Sequence, residues 1–582
     1  MINQLEQFRL PFFIGLLLTT ITILLFTAQP ALAQTNACFA SLNNSNTTDF
    51  QSSDGSALQA AVDAASPGDL VKVAGTCTGA QLRMGLTQTV FITKSLTLRG
   101  GYTTTNWLTP DPTTHLTTLD AQRAGRAVVL SGTIDITLNG LILTKGLAFD
   151  PDTLDNGGGI WNNGAALTIT HSSIISNLIA GCCGRGGGIN VESGSLYLAD
   201  SMIAENEVRD GEGGALSLHS ITATIIRTTF ENNRTTSSAD NGGAILIRNA
   251  PAVQIIASQF LNNYTLGKSA NAGAIYITSD SVVTIANSTL SGNKTFGRFA
   301  NGGAINHSSS SLTIQNSLFQ NNHTYNSSAN GGAIYNSGLM TITNSNILSN
   351  STTKASGGGL WSSNNSDDRL TLQNSTVAYN QSLDPTQPGG GLAINPFSSG
   401  NGQVVMENVT FSGNSSTSEG GAMWVPKGSV TMTHVTISSN SALTSTGGIS
   451  VGIEGTVSIS NSIIANNSGG DCATVGTFTD GGYNLIEDGG CLTASTSFSG
   501  TANLAALADN GGPATSSGGA TLTHALLNNS PALDRIPSGV NGCGTTFTTD
   551  QRQFTRPFNN GACDIGAFEV GTTLYLPILF KN

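Results

Sequence analysis

Charged residues are scarce in this sequence: they make up 10% of its 582 residues, and the formal net charge is −12. Nucleic acids and anionic membrane surfaces bind basic patches, so this composition argues against both as partners. Apolar residues at a helical spacing of three to four over ten or more positions are absent from the repeated part of the chain. The abundant Gly, Asn, Ser and Thr favour strands and turns instead of helical repeats.

A repeated phrase makes up most of the chain. It begins with Gly-Gly-Ala-Ile, continues through a second apolar segment and ends with Phe-x-x-Asn, as in residues 242–263. A period of this size indicates a solenoid, because one unit cannot bury its own apolar face and must stack on its neighbours. The first position of the phrase recurs eleven times, 26 to 32 residues apart: Gly157, Gly186, Gly213, Gly242, Ala272, Gly302, Gly331, Gly357, Gly389, Gly420 and Thr446.

The residue after Gly-Gly-Ala is aliphatic in every copy, for example Ile245 and Ile275, whereas the next residue varies. Successive strand residues point to opposite faces, so the first of these positions faces inward and the second faces outward. A second segment alternates in the same way, and a third holds one apolar residue such as Phe260. We therefore predict an all-β, right-handed parallel β-helix solenoid with three strands per coil. Coils about 4.8 Å apart extend on the order of 50 Å over eleven copies.

Two asparagine positions recur with the repeat. One ends the third segment in every copy from Asn177 to Asn467, and stacked amides there can hydrogen-bond from coil to coil. We predict a structural role for both columns, since Asn also tolerates left-handed turns. The second, partial column holds Asn287, Asn316, Asn344, Asn374, Asn408 and Asn461.

The Gly-Gly-Ala-Ile and Phe-x-x-Asn phrases resemble the repeats of chlamydial polymorphic outer-membrane proteins. More broadly, the coils look like those of the pectin-lyase-like β-helix superfamily. The resemblance covers about residues 136–470, and we assign residues 136–461 to the β-helix repeats. It implies the fold, whereas function depends on the side chains that this chain carries on its coils.

The N-terminal part has two predicted segments. An apolar run over residues 12–26, followed by the small residues Ala31-Leu32-Ala33, predicts a secretory signal peptide over residues 1–33. Residues 34–135 are predicted to form an N-terminal cap and the first irregular coils. Within them, residues 54–66 form the one predicted helix, which places its apolar side chains on one face and covers the open end of the solenoid. The apolar face consists of Leu58, Ala61, Val62 and Ala65.

The even number of cysteines, eight, suggests disulfides in an exported chain. The adjacent Cys182 and Cys183 either bond to each other or pair elsewhere, and we expect them to be structural. Three further structural pairs are predicted: Cys38 with Cys77 at the N-terminal cap, and Cys472 with Cys491 and Cys543 with Cys563 near the C-terminus.

Residues 462–570 differ from the repeats. Their ordered series of motifs includes Asp471-Cys472, Asp509-Asn510-Gly511-Gly512-Pro513, Asp550-Gln551-Arg552 and Cys563-Asp564-Ile565-Gly566-Ala567-Phe568-Glu569. This series closely resembles the bacterial choice-of-anchor Q domain, which implies a region that closes a surface or secreted β-helix. One departure is Gln553, where the family usually has Gly, and an altered turn is expected there.

The charged residues of this region are predicted to form a structural ion-pair network, since Arg binds carboxylates bidentately. They are Asp550, Arg552, Arg556, Asp564 and Glu569. The remaining residues, 571–582, form a short apolar tail, which is too short for a membrane-spanning helix of about 20 residues.

Candidate ligand-binding residues lie on the outward face of the coils. Five aromatic residues occupy the same outward position, and rings exposed in a row suit stacking on sugars. The alternative is aromatic packing between coils or under a loop. The glycan-binding candidates are Trp161, Tyr276, Tyr335, Trp361 and Trp424.

A loop with Asp150, Asp152 and Asp155 is a weak candidate metal site, because it lacks the spacing and bidentate Glu of an EF-hand. The alternative is a solvated turn. We expect no cofactor.

Two classes of function compete. The first is a non-catalytic secreted or cell-surface protein that acts as an adhesin, glycan binder or envelope scaffold, as a monomer without a transmembrane span. Its partners would be extracellular polysaccharide or cell-envelope components. The second is a polysaccharide lyase or glycoside hydrolase that works in a groove along the β-helix. We favour the first, because the outward positions of the coils carry mainly Ser, Thr, Asn and Gly.

Overall fold

The structure is a computed structural model that describes residues 37–149, 156–363, 369–394, 402–516 and 518–571. The described residues belong to one compact unit. The predicted signal peptide and residues 572–582 of the predicted tail lie outside the described residues. Among the described residues, no helix is long and apolar enough to cross a membrane.

A continuous apolar interior runs through the stacked coils. In the coil that begins at Ile245, the inward residues Ile245, Val253, Ile255 and Phe260 are at most 1% exposed. Each pairs in parallel register with the same position of the next coil, as Ile245 does with Ile275. About 13 coils stack in this way, which confirms the predicted all-β parallel β-helix. Because burial of one such side chain stabilises the fold by about 1.5–3 kcal/mol, this interior dominates its stability.

The first and second strands of a coil are continuous in some coils and separated by a short turn in others. The continuous strands are Ile160–Thr170, Ile189–Ala199, Ile305–Gln315, Ile334–Thr343, Met423–Thr433 and Ile449–Ser460. The separate first strands are Leu216–His219, Ile245–Arg248, Ile275–Thr278, Leu360–Ser362 and Leu392–Ile394. Their second strands are Thr222–Ile226, Ala252–Ile256, Val282–Ala286, Arg369–Gln373 and Gln403–Glu407.

A third strand follows in each coil. The third strands are Ser173–Ile175, Met202–Ala204, Thr229–Glu231, Gln259–Leu261, Thr289–Ser291, Leu318–Gln320, Asn346–Leu348, Thr376–Ala378, Thr410–Ser412, Thr436–Ser438 and Ile463–Ala465.

A fourth strand of only two residues, which the sequence did not predict, follows the third strand and forms an 11-stranded parallel sheet. Ten of these strands directly follow an asparagine of the column, and the first follows Gly146. The fourth strands are Leu147–Ala148, Leu178–Ile179, Glu207–Val208, Arg234–Thr235, Tyr264–Thr265, Lys294–Thr295, His323–Thr324, Ser351–Thr352, Gln381–Ser382, Ser415–Ser416 and Ser441–Ala442. A loop then leads to the first strand of the next coil. In two of these loops, Gly184–Arg185 pairs with Gly211–Glu212.

The two glycines that precede most of the first strands have different roles. The first has a positive φ, 70° at Gly242, which a residue with a side chain adopts at a cost. At the second, Gly243, a Cβ atom would clash with the carbonyl oxygen of Gly273 in the next coil. The pair therefore serves two purposes, a left-handed turn and the close approach of neighbouring coils.

The asparagine column from Asn177 to Asn467 is a hydrogen-bonded ladder. At Asn263, the side-chain Nδ2 donates to Oδ1 of Asn293 at 3.1 Å and to the carbonyl oxygen of Phe230 at 2.9 Å. The backbone N–H of Asn263 also donates to Oδ1 of Asn293, at 3.0 Å. The asparagines from Asn177 to Asn440 are fully buried, which confirms the structural role predicted for this column.

The second asparagine column forms left-handed turns, with φ of 50° at Asn287 and 48° at Asn316. The residue that follows it forms a further ladder, which the sequence did not predict: the N–H of Ser288 donates to Oγ of Ser317 at 3.1 Å. Hydroxyls therefore continue the coil-to-coil hydrogen bonding at this corner.

The N-terminal cap confirms the predicted helix, which spans Ser56–Ala64. The predicted apolar face is buried, with Leu58 and Ala61 at 0% exposure. The side chain of Gln59 hydrogen-bonds both backbone groups of Phe91. Its Oε1 accepts the N–H of Phe91 at 2.8 Å, and its Nε2 donates to the carbonyl oxygen of Phe91 at 3.1 Å. The strands of this part are Cys38–Leu42, Phe50–Ser52, Leu70–Thr78, Gln81–Arg83, Leu86–Ile92, Leu96–Tyr102, Thr118–Asp120, Arg126–Ser131, Asp135–Asn139 and Ile142–Thr144.

The C-terminal region lies along the third strands of the coils instead of only covering the last coil. Ser516 Oγ donates to the carbonyl oxygen of Ser288, and Thr410 donates to Gln551 Oε1 at 2.6 Å. The region contains a second, smaller apolar core. Its elements are the strands Cys472–Thr474, Thr477–Asp480, Leu485–Ile486, Leu504–Asp509 and Leu522–Leu526 and the 3₁₀ helices Val540–Gly542 and Phe558–Asn560.

Two ion pairs of the predicted network are present and buried, whereas the Asp564 carboxylate accepts the backbone N–H groups of Asp534 and Val570 instead of an arginine. Arg556, 0% exposed, donates to Glu569 Oε2 at 3.1 Å and to Asn408 Oδ1 on the β-helix. Arg552 pairs with Asp550 at 2.7 Å. The network therefore fixes the C-terminal region to itself and to the coils.

All eight cysteines lie within disulfide distance of a partner. The three predicted pairs are confirmed, and Cys182 pairs with Cys183, which is the first of the two alternatives.

Candidate functional site

The outward positions of the first strands carry the predicted aromatic column. Tyr335 pairs with Trp361 in register, Trp361 with Ala393, and Ala393 with Trp424, so Trp424 lies two coils beyond Trp361. Trp161 and Tyr276 belong to the same column, further toward the N-terminus. The five candidates therefore share one line along the solenoid, although polar, alanine and leucine residues interrupt it.

The rings of this column were predicted to be exposed. The prediction is wrong for Trp361, which is only 6% exposed. The glycine turn before each first strand packs against the outward residue: a Cβ atom on Gly357 would lie 3.1 Å from Cβ of Trp361. The rings of Tyr335 and Trp361 are stacked, with centroids 4.3 Å apart and an interplanar angle of 8°, so each covers one face of the other. This pair packs between coils, whereas Trp161, Tyr276 and Trp424 are half-buried.

Charged residues lie on the same face, over the coils that precede Tyr276. We call Glu192, Glu212, His219, Arg248 and Tyr276 the polar cluster. His219 and Arg248 occupy the same position of consecutive coils, and Glu192 directly follows the paired residue of the coil before them. Glu212 comes from the loop before the first strand that ends at His219. The fold thus brings side chains from four successive coils together at one surface.

Hydrogen bonds hold the two carboxylates of the polar cluster. Arg248 Nη2 donates to Glu212 Oε2 at 2.8 Å and to Oε1 at 3.1 Å, and Asn241 Nδ2 donates to Oε1 at 2.9 Å. Asn156 Nδ2 donates to Glu192 Oε1 at 2.5 Å. Arg248 and Glu212 keep 25% and 17% of their side chains exposed, so a ligand can still reach them.

The surroundings shift the pKa values of two side chains in the polar cluster, His219 and Tyr276. Burial, together with the charges of Arg185 and Arg248, lowers the pKa of His219, which favours a neutral imidazole. Burial and the charge of Glu212 raise the pKa of Tyr276. Neutral His and Tyr beside a paired carboxylate and guanidinium can donate and accept hydrogen bonds, which suits sugar hydroxyls.

Asp240 lies beneath this surface in the loop before Ile245 and is 4% exposed. Its carboxylate accepts the N–H of Ser237 at 3.0 Å. Burial, together with the charges of Asp210 and Glu212, raises its pKa to about 6. The next two coils have Ala270 and Ala300 in this position, so the stacking of these coils does not itself require an acid here.

Sequence reasoning missed Glu192, His219 and Arg248. They were detectable, because each lies three residues after the inward aliphatic residue that starts its first strand: Ile189, Leu216 and Ile245. Glu212 belongs to a cluster of charged residues in one loop, with Glu205, Glu207, Arg209 and Asp210. No sequence pattern connected it with Arg248, 36 residues away.

The predicted metal-site residues Asp150, Asp152 and Asp155 lie outside the described residues. Among the residues that the structure does describe, no group of three or more His, Cys, Asp or Glu side chains is placed to hold a metal ion.

Comparison with known families agrees with the architecture. A family model described as a right handed beta helix region matches residues 243–425, and with the stacked coils it defines the chain as a right-handed β-helix protein. Neither the curated proteins nor the solved structures contain a match to this chain.

Proposed function

We propose that this chain is a non-catalytic secreted or cell-surface protein whose polar cluster binds polysaccharide. The observation that carries the proposal is the Arg248–Glu212 pair beside Tyr276 on an open face, with His219 and Glu192 on the adjacent coils. A sugar chain offers hydroxyl groups at regular intervals, and these side chains supply matching donors and acceptors on successive coils. The half-buried ring of Tyr276 supplies an apolar surface for sugar C–H groups.

Two further features support an extracellular location. The four cysteine pairs suit an oxidising compartment. The motif series over residues 462–570 resembles the choice-of-anchor Q domain, whose members display β-helices at the bacterial surface. An adhesive or envelope-scaffold role would use the same extracellular surface.

Retention of the full chain on immobilised polysaccharides tests the proposal. Arg248→Ala and Glu212→Gln should each lower the affinity for a retained glycan about tenfold. The reason is that a hydrogen bond to a charged group contributes about 1.5–3 kcal/mol to the free energy of binding. Arg227→Ala is the matched control, since Arg227 pairs with Asp200 at an exposed surface away from the cluster. Equal retention of all variants would refute a role for the polar cluster.

The aromatic column has its own test. If it contributes, Trp424→Ala lowers retention without loss of fold. Trp361→Ala is expected to act through packing instead, because its ring is buried against Tyr335. Unchanged retention of Trp424→Ala and Trp361→Ala on a glycan that the wild type binds would exclude the column as a binding surface.

The second candidate function is a polysaccharide lyase or glycoside hydrolase. One observation favours it: the polar cluster contains two carboxylates, a guanidinium and the imidazole of His219, whose lowered pKa favours its neutral form. Acid–base chemistry on sugars uses such groups. A screen for new reducing ends and for unsaturated uronates across common glycans separates the two functions. Turnover that Glu212→Gln abolishes would establish the enzyme and replace the non-catalytic proposal.

A further inference from the structure

The middle coils are basic, although the whole chain is acidic. Between residues 241 and 363 there are five basic residues and a single acidic one, Asp280, while the chain carries a net charge of −12. Arg248 belongs to the polar cluster and pairs with Glu212. In the part of the chain that the structure describes, Lys268, Lys294 and Arg298 have no ion-pair partner. This surface therefore carries uncompensated positive charge.

These three cations lie together with exposed aromatic rings on the edge formed by the fourth strands and the loops that follow them. We call Lys268, Lys294, Phe296, Arg298, Phe299 and Tyr325 the basic–aromatic edge. The N–H of Phe296 donates to the carbonyl of Thr265, and the N–H of Tyr325 donates to that of Thr295, so the two rings occupy the same position of consecutive coils. Their centroids are 4.6 Å apart with an interplanar angle of 5°. They remain 37% and 39% exposed.

Phe299 has an unusual backbone conformation for an exposed aromatic residue. Its φ is 61°, in the left-handed region that bulky side chains rarely adopt, and its side chain is 38% exposed. Neighbouring coils have Ala239, Ser269 and Ser328 in this position, all with positive φ. The ring of Phe299 packs under the guanidinium of Arg298, 4.6 Å from its centroid. A strained, solvent-exposed phenylalanine that contributes little to the core indicates selection for a contact outside the fold.

We propose that the basic–aromatic edge binds an anionic polysaccharide, one that carries carboxylate or sulfate groups. Lys268 and Arg298 lie on consecutive coils, about 4.8 Å apart along the solenoid, so they can contact successive anionic groups of one chain. Guanidinium and ammonium groups form charge-assisted hydrogen bonds with such anions, and the ring edges pack against sugar C–H groups. A nucleic acid fits less well, because nucleic-acid-binding surfaces carry large basic patches and this edge has only three cations.

The edge is bounded at its N-terminal side by acidic residues. In the fourth strands, Tyr264 and Lys294 follow Arg234, whose guanidinium is neutralised by Glu207 at 2.5 Å. Glu205 and Glu207 line the hollow there together with Arg234 and Tyr264. The ligand is therefore expected to extend from Tyr264 toward Tyr325 and away from this acidic boundary.

Affinity measurements on the full chain test the proposal with three probes: polygalacturonate, dextran sulfate and neutral dextran. The wild type should bind at least one of the two anionic probes, with affinity that falls as salt is added. Neutral dextran reports the polar cluster separately, because its binding should depend on neither salt nor the cations of the basic–aromatic edge. A preference between polygalacturonate and dextran sulfate distinguishes carboxylate from sulfate recognition. No binding to either anionic probe at low salt would overturn the proposal.

Two variants connect the binding to the edge. Lys268→Ala with Arg298→Ala should weaken binding at least tenfold, whereas Arg227→Ala, an exposed cation paired with Asp200, should leave it unchanged. Phe299→Ser introduces the residue that neighbouring coils have, so it should weaken binding several-fold while the melting temperature stays equal or rises. A lower melting temperature without weaker binding would identify Phe299 as structural. Equal weakening by Arg227→Ala, or tighter binding of single-stranded DNA than of polysaccharide, would also overturn the proposal.

Discussion

At the scale of single residues, the buried amide ladder is the feature that depends most on side-chain identity. Asn293→Ala is expected to destabilise the protein by about 2–4 kcal/mol, because the N–H and Nδ2 of Asn263 lose their acceptor and the carbonyl of Phe260 loses its donor. The matched control is Asn287→Gly, at an exposed left-handed turn where Gly is tolerated. Chemical denaturation of both variants measures the difference. Equal stability of the two variants would contradict the importance of the ladder.

Asp240 gives the stability of the protein a dependence on pH. Its pKa rises to about 6 in the folded protein, so folding favours the protonated acid. The stabilisation is complete below the ordinary pKa near 4 and is lost as pH rises through about 6. Asp240→Asn carries no charge at any pH. It should match the wild type at pH 4 and exceed it on the order of 1–2 kcal/mol at pH 8.

Thermal melts at the two pH values measure this effect. Asp280→Asn serves as the control, because Asp280 lies at an exposed turn with positive φ that Asn also adopts. A wild type that gains stability relative to Asp240→Asn between pH 4 and pH 8 would contradict the sign.

Inward aliphatic residues and the asparagine ladder were predictable, because each recurs at a fixed position of every coil and stacking gives that position the same environment. The sequence left two alternatives for Trp361, exposure or packing between coils. It could not decide between them, because the burial depends on a glycine turn that folds over the outward position. The Glu212–Arg248 pair was missed for a related reason. It joins a loop of one coil to a strand of the next, and no single repeat contains both residues.

At the scale of elements, the N-terminal helix protects the first coil. Gln59 fixes it by hydrogen bonds to both backbone groups of Phe91. Gln59→Ala leaves those groups unpaired in a buried position, so we expect a loss of about 1–3 kcal/mol. Gln51→Ala, at an exposed residue of the adjacent strand, is the control. Hydrogen exchange at Phe91 should increase in the first variant and stay unchanged in the second; protection of Phe91 in both would show that the strand does not depend on Gln59.

At the scale of the whole molecule, the C-terminal region is fixed by buried charges. Arg556→Met leaves Glu569 buried without its cation, so a loss of about 3–5 kcal/mol is expected. Arg227→Met, which breaks an exposed Arg–Asp pair, should cost less than about 1 kcal/mol. Denaturant unfolding compares the two, and similar losses would show that burial of the pair is not what matters.

The position of the C-terminal region along the third strands could not be predicted. The resemblance of residues 462–570 to a closing domain indicated that they cover the β-helix. However, hydrogen bonds such as Thr376 Oγ1 to the carbonyl of Leu522 join residues 146 apart that share no repeat position. Periodicity fixes which residues stack, but it carries no information about where a non-repeating segment lies on the stack.

The asparagine ladder also bears on how such a chain can change length. Each asparagine accepts hydrogen bonds from the coil before it and donates to the coil after it, and the series ends where Asn467 Nδ2 donates to Asp471 at 2.9 Å. A duplicated or deleted genetic segment of one whole period would therefore rejoin donor to acceptor without an unmatched amide. Evolution can thus lengthen or shorten the rod in whole coils while both of its ends stay the same.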